Sequence, residues 1–298
     1  MTDPLASLGY TTREASFLRV ASLLSGYFLR RHFNQFNRKQ SGAVAQRFIE
    51  RSIGMGHIRA IPALGGRVVY HASAGSLYSA LGDPENRNRR EHRPETVRVR
   101  LMALDFAILN PQARWLLTEK SKREYFLAVG IEAGNLPNFV ERQPISLTTG
   151  PQFAFIDSGL RTLTHWELFL RSHRVLLQRL SSADVIFASS QASRSDSAES
   201  AFRKAIAGES SAGGLDTERL SRHFAARKAF EEKRYQDFDQ GRLDELRENK
   251  QVFSGEQFER LYSQWLANGN LALGGLQSSR VNFRFQALPH IYEWLSPI

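Results

Sequence analysis

Cysteine is absent from this chain of 298 residues. That excludes disulfide staples, thiol nucleophiles and Cys-ligated zinc, and it is compatible with a reducing compartment. Long apolar runs are missing too. Stretches such as Phe126–Val129 and Val185–Ala188 fall far short of the ~20 residues that span a bilayer. The opening residues Met1-Thr-Asp-Pro-Leu-Ala6 lack a basic segment followed by an apolar core, so the reading expects no secretory leader, no membrane partner and a cytoplasmic place. Several catalytic signatures are also lacking. There is no Gly-x-x-x-x-Gly-Lys-Ser/Thr phosphate loop and no Gly-x-Ser-x-Gly elbow. His165 and His173 stand eight apart, two helical turns, where a helical metal pair needs a spacing of four. The expectation is a protein that is not an enzyme and carries no catalytic centre, metal or cofactor.

Acidic residues are scarce in one place. Residues 1–100 hold 16 Lys/Arg against 7 Asp/Glu, a net of +9, whereas the remaining 198 residues carry a net of +1. A basic field confined to a small helical module suits a polyanion, because Lys and Arg that neutralise phosphates release condensed counterions.

The periodicity of that region gives it a shape. Thr11 and Glu14 match a capping box, and Ala15, Leu18, Ala21 and Leu24 continue on one face, predicting a helix over 12–24. A second helix fits 27–36, with Phe28, Phe33 and Phe36 inward and Arg30, Arg31 and Gln35 outward. After the turn 37–40, a third fits 41–53, with Ser41 as N-cap and Val44, Phe48 and Ile49 toward the core. The period then changes to two. Strands over 57–62 and 67–71 flank Ala63-Leu-Gly-Gly66, the chemistry of a hairpin tip.

Three helices followed by a hairpin describe a winged helix-turn-helix. Its third helix would enter the major groove of double-stranded DNA with Gln46, Arg47 and Arg51 nearest the bases, since Gln suits adenine and Arg guanine. Arg30, Arg31, Arg38, Lys39, Ser41, Arg59 and Arg67 complete the expected contact set, the cations among them on phosphates. The structural alternative is a trihelical module whose arginines are solvated surface.

The tract 82–93 holds four arginines and reads as a solvated hinge or a second phosphate contact. A helix from Pro94 puts Val97, Leu101, Leu104 and Ile108 inward and Arg98 and Arg100 outward, bridging modules or serving a dimer. Strands are expected at 115–118, 144–147, 153–156, 184–188 and 281–286, and helices at 120–129, 163–180, 193–207, 216–238, 243–250, 255–266 and 289–295. The expected fold class is α+β. Residues 1–82 form the winged helix, 83–112 a basic linker and bridging helix, and 113–298 a small α/β sandwich with a helical extension.

Leu8-Gly-Tyr-Thr-Thr-Arg-Glu14, Ser25-Gly-Tyr-Phe28 and Asn86-Arg-Asn-Arg-Arg-Glu-His92, with the strand order after 113, resemble the replication-relaxation type of mobile-element protein. The resemblance implies a winged helix, a degenerate restriction-nuclease-like domain and a DNA-associated role on a plasmid, phage or conjugative element. An active nuclease of that kind needs an acidic residue and a Glu/Asp-x-Lys pair to hold Mg²⁺. Asp157 ends its strand with no Lys two residues later. The expectation is a DNA-binding transcriptional regulator acting as a homodimer, its C-terminal part sensing or dimerising. A replication accessory or nuclease, and an adaptor for an acidic protein, remain open alternatives.

Overall fold

The structure, a computed structural model, describes residues 3–38, 42–139, 143–160, 162–207, 217–270 and 280–295. The chain is α+β, with eleven α-helices, one three-stranded sheet and one five-stranded sheet among the described residues. It divides into two compact units, Met1–Phe202 with Val281–Ile298, and Arg203–Arg280. The expected divisions at 82 and 112 fall inside the first unit, and the second is cut from within the expected 113–298 segment.

Helix α1 (Thr12–Val20) opens on the anticipated capping box: Glu14 N–H donates to Thr11 Oγ1 and Thr11 N–H donates to Glu14 Oε2 at 2.9 Å. A π-helical turn, Ala21–Ser25, carries it on to Gly26. Gly26 has φ 77°, and a Cβ there would lie 2.8 Å from Asn88 O, so only glycine fits. Tyr27–Phe28, expected to start a helix, instead form strand β1 paired with a later strand. Helix α2 (Arg30–Phe36) and helix α3 (Gly42–Gly54) follow. The core between them is aromatic: Phe17 stands edge-on to Phe28 and Phe33, each at 5.2 Å, and Phe33 stacks on Phe48 at 4.4 Å.

Strands β2 (Ile58–Ala63) and β3 (Arg67–Ala72) form the hairpin, with Gly65 and Gly66 at φ 70° and 69° at its tip. The sheet order is β1-β3-β2. Alternation gives it two covered faces. Ile58, Tyr70 and Ala72 pack into the helical core, whereas Ile61, Ala63 and Val69 pack with Tyr27, Val97 and Trp294. Helix α4 (Gly75–Ala80) leads to the arginine tract.

That tract is not a solvated hinge throughout. Asn88 is fully buried, its Nδ2 donates to Ser22 O and Leu23 O at 2.8 and 2.9 Å, and its carbonyl lies 2.9 Å from His71 Nε2. Helix α5 (Pro94–Leu109) corrects another expectation: Arg98 and Arg100, predicted outward, are 1% and 2% exposed. The helix is enclosed on both sides, with Leu104 in the N-terminal core and Leu101, Met102 and Phe106 in the core beneath the second sheet. Arg100 Nη1 donates to Ser25 O at 2.6 Å and to Asn88 Oδ1, and Arg98 Nη2 donates to Glu293 O at 3.3 Å.

The second sheet runs β4 (Arg114–Trp115), β5 (Ile145–Leu147), β6 (Pro151–Asp157), β7 (Ser182–Ser189), β8 (Arg280–Ala287) in spatial as in chain order. Its first three strands are antiparallel, and β6 and β7 are parallel. Helix α6 (Glu119–Ala128) starts at Thr118, a residue expected in a strand, whose Oγ1 caps Ser121 N–H at 3.0 Å. Helix α7 (Thr164–Arg179) makes the crossover from β6 to β7, and helix α8 (Ser195–Ala207) follows β7. Ala154, Ile156, Ile186 and Ala188 face α5; Phe155 and Phe187 face Trp166 of α7 at 5.4 and 5.2 Å.

The second unit contains α9 (Thr217–Glu231), α10 (Gln240–Val252) and α11 (Glu256–Asn268) around Leu220, Phe224, Phe253 and Tyr262. The helix expected over 216–238 ends at Glu231 and is followed by Lys233 at φ 60°. Arg227 ties α9 to α11, donating to Glu259 at 2.8 and 2.9 Å and lying 4.1 Å from the Tyr262 ring centroid. Among the described residues no helix is long and apolar enough to cross a membrane.

Candidate functional site

The outer face of α3 is set by its inner one. Ala45, Phe48, Ile49 and Ser52 are buried, which leaves Ala43, Arg47, Glu50 and Arg51 in solvent and Gln46 half-buried. These side chains are wired together. Arg30 Nη1 of α2 donates to Gln46 Oε1 at 3.3 Å, and Gln46 Nε2 donates to Glu50 Oε1 at 2.8 Å. The Gln46 amide therefore has a fixed orientation, with one N–H left to offer outward. Arg47 makes only a long 3.5 Å contact to Ala43 O and has no carboxylate partner among the described residues. Arg38 is exposed at φ 50° just past α2. Lys39 and Ser41 lie outside the described residues.

The other expected contacts are engaged elsewhere. Arg51 pairs with Glu14 and lies 5.6 Å from the Tyr10 ring. Arg59 pairs with Glu91 at 3.1 Å and donates to Ser73 Oγ at 3.1 Å. Arg67 reaches Leu64 O at 3.4 Å and lies 5.4 Å from the Trp294 ring. The register pairs Arg59 with His71 and Arg67 with Ala63. Both arginines thus share the hairpin face that carries Val69, opposite the face packed on the helices. The structure brings Arg30, Gln46 and Arg47 together and sets Arg59 and Arg67 apart from them.

Arg31 belongs to an internal network. It donates to Tyr292 Oη, lies 5.0 Å from that ring, and approaches Asp105 Oδ1 at 3.5 Å. His32, fully buried, accepts Leu29 N–H on Nδ1 at 3.1 Å, which leaves its proton on Nε2, 3.1 Å from Asp105 Oδ1 and 2.9 Å from Tyr292 Oη. Tyr292 O–H donates to Asp105 Oδ2 at 2.6 Å. Burial pulls the His32 imidazole below its usual range, against the hydrogen bond and charge of Asp105. Burial alone would raise the Asp105 carboxyl, but the hydrogen bonds from His32 and Tyr292 and the charge of Arg31 outweigh it and hold it low. Burial, then the Asp105 charge, push the Tyr292 phenol up. The network ties the C-terminal residues to α2 and α5. Its sequence signal was Asp105, a lone carboxylate in the apolar run Leu101–Ile108.

Asp157, the acidic residue weighed for a nuclease, is neutralised where it stands. Ser189 Oγ donates to Oδ2 at 2.9 Å and Arg194 Nε lies 2.7 Å from the same oxygen. Among the described residues no three His, Asp or Glu side chains are grouped to hold a metal ion. Comparison with protein-family models, curated proteins and solved structures found no match.

Proposed function

We propose that the N-terminal region is a winged-helix module that binds double-stranded DNA through α3, in a homodimeric regulator of transcription whose remaining chain senses or dimerises. The observation that carries the reading is Arg47: a guanidinium mid-helix on the exposed face of α3, free of any carboxylate among the described residues, with Gln46 held beside it by Arg30. An Arg and an oriented Gln on adjacent positions are the side chains that read guanine and adenine edges. The order of three helices and a glycine-tipped hairpin supports the same reading. One such module buries little surface, so two copies on a symmetric site give the specificity a regulator needs.

The test is fluorescence anisotropy with duplex DNA and the full chain. Arg47→Glu is expected to weaken binding by about 5- to 150-fold, as loss of a base or phosphate contact of ~1–3 kcal/mol implies. Arg234→Glu, in the helical unit beside Glu232, should leave binding nearly unchanged. Equal effects of the two changes, or no binding by the unaltered chain, remove α3 as the reading element.

A further inference from the structure

A cavity of about 110 Å³ lies between α9 and α10 of the second unit. Both stretches that line it, 222–226 and 242–249, are described throughout. Two of the lining side chains hold buried nitrogens without a hydrogen-bond partner among the described residues: Asn249 Nδ2 and His223 Nδ1, on residues 1% and 4% exposed. The Asn249 amide has one orientation open to it. Arg219 Nε donates to its Oδ1 at 2.8 Å, and a reversed amide would set two donors against each other. Nδ2 is therefore the edge turned away from Arg219, with hydrogens to give. Buried polar atoms are nearly always paired, so two in the lining of one small cavity mark a place that takes a partner.

The charge around these atoms selects the partner. Arg222 and Arg242, both exposed, line the cavity with one carboxylate, Glu245, which Arg222 Nη1 approaches only to 3.9 Å. Arg219 stands at the Asn249 carbonyl. An amide nitrogen and a guanidinium can only donate. The complement to them is compact, negative and made of acceptors. At ~30 Å³ per water-sized group, the volume takes about four heavy atoms, the size of a carboxylate on a short carbon stem.

We propose that this cavity binds a small carboxylate, one oxygen accepting from Asn249 Nδ2, with the negative charge met by Arg222 and Arg242. His223 Nδ1 supplies a second donor in the tautomer that carries its proton there. The site lies within the second unit and requires nothing of the DNA reading.

The experiment is saturation-transfer NMR of the full chain with acetate and with acetamide, probes of matched shape that differ in charge. Acetate is expected to receive saturation from the protein and acetamide not to. Asn249→Asp keeps an oxygen for Arg219 and turns the donor edge into a second carboxylate oxygen, so transfer to acetate should be lost while the circular dichroism is unchanged. Arg222→Gln, at an exposed position, leaves the packing of the unit alone and should weaken acetate about tenfold, the value of one charge-assisted hydrogen bond. It tests the site even where Asn249→Asp fails to fold. Equal transfer to the two probes marks a pocket for water or any small polar molecule and overturns the proposal. So does transfer to acetate that survives the substitutions unchanged, or none to acetate at about 10 mM, a concentration at which a ligand of four heavy atoms and ordinary efficiency binds.

Discussion

His173 offers the clearest link between a single buried side chain and behaviour in solution. It sits on α7 with 1% of its surface exposed, 4.4 Å from the Phe169 ring and 5.9 Å from that of Phe153. Its Nδ1 lies 2.9 Å from Phe169 O and 2.9 Å from Ser172 Oγ. A carbonyl can only accept, so the proton is on Nδ1, and the other nitrogen, Nε2, is buried without a partner among the described residues. Protonation would place a charge on Nε2 in an aromatic enclosure near Lys122. Burial, reinforced by Lys122 and only partly offset by the Phe169 bond, lowers the imidazole from 6.5 to about 4. Above pH 6.5 both folded and unfolded chains hold it neutral and nothing is lost. As pH falls further, the unfolded chain takes up the proton first and the folded state falls behind until about pH 4. At about 1.4 kcal/mol per pH unit the deficit reaches about 3 kcal/mol, against a typical total of about 5–15 kcal/mol. His173→Leu keeps the volume, and Ser172 Oγ still donates to Phe169 O. Urea unfolding at pH 7 and pH 4 should show the unaltered protein losing about 3 kcal/mol more than the variant. Buried histidines common to both proteins cancel in that difference. Parallel losses in the two proteins would refute the assignment of the acid sensitivity to this ring.

Two further changes probe the module that carries α3. Arg100→Met leaves Ser25 O and Asn88 Oδ1 without the Arg100 donor, at ~1–3 kcal/mol each, so urea unfolding should register a loss of about 2–6 kcal/mol. A loss below about 1 kcal/mol would mean the Asn88 network is dispensable. Glu50→Gln removes the carboxylate on the exposed face of α3 while keeping a partner for Gln46. On the DNA reading it should raise affinity for random-sequence duplex severalfold and flatten discrimination at one base pair, because Glu accepts from cytosine N4 and repels phosphate. Anisotropy against a panel of single-base variants decides it, and an unchanged preference at every position counts against a reading role for Glu50. If one complex neutralises about six phosphates, log K against log salt should slope near −5.

Local chemistry was readable in the sequence and long-range chemistry was not. The Thr11–Glu14 capping box spans one turn and stands as expected. So do the inward Phe33 and Phe48, whose burial follows from helical spacing; Phe28 is inward as expected but from a strand. Tyr27 and Phe28 were misread because their partners, His71 and Tyr70, are over forty residues on, and aromatic spacing suits strand as well as helix. Arg98 and Arg100 were placed outward on the premise that a helix keeps one wet face. The helix α5 keeps almost none, since both cores use it, and each guanidinium found a backbone carbonyl. The tether of His32 to Tyr292 joins residues 260 apart, a distance at which no periodicity carries information. At the candidate site, Arg47 was legible as an exposed helix position and Gln46, half-buried, as its neighbour, whereas the diversion of Arg31 to Asp105 and of Arg51 to Glu14 depends on tertiary approach.

That diversion changes what the charge step means. A net of +9 over residues 1–100 suggests a strong field, yet packing spends much of it. Arg19 pairs with Asp3, Arg51 with Glu14 and Arg59 with Glu91, while Arg98 and Arg100 are sealed against carbonyls. Around α3, the described cations without an acidic partner are Arg30, Arg38 and Arg47, and Glu50 stands among them. A surplus of that size gives weak, salt-sensitive attraction to a duplex from one copy, and the exponent in the salt dependence grows with the phosphates neutralised. The reading in which α3 meets DNA therefore leans on a second copy. Two such faces on adjacent half-sites double the neutralised phosphates, and the salt slope of a footprinted complex then reports stoichiometry as directly as it reports charge.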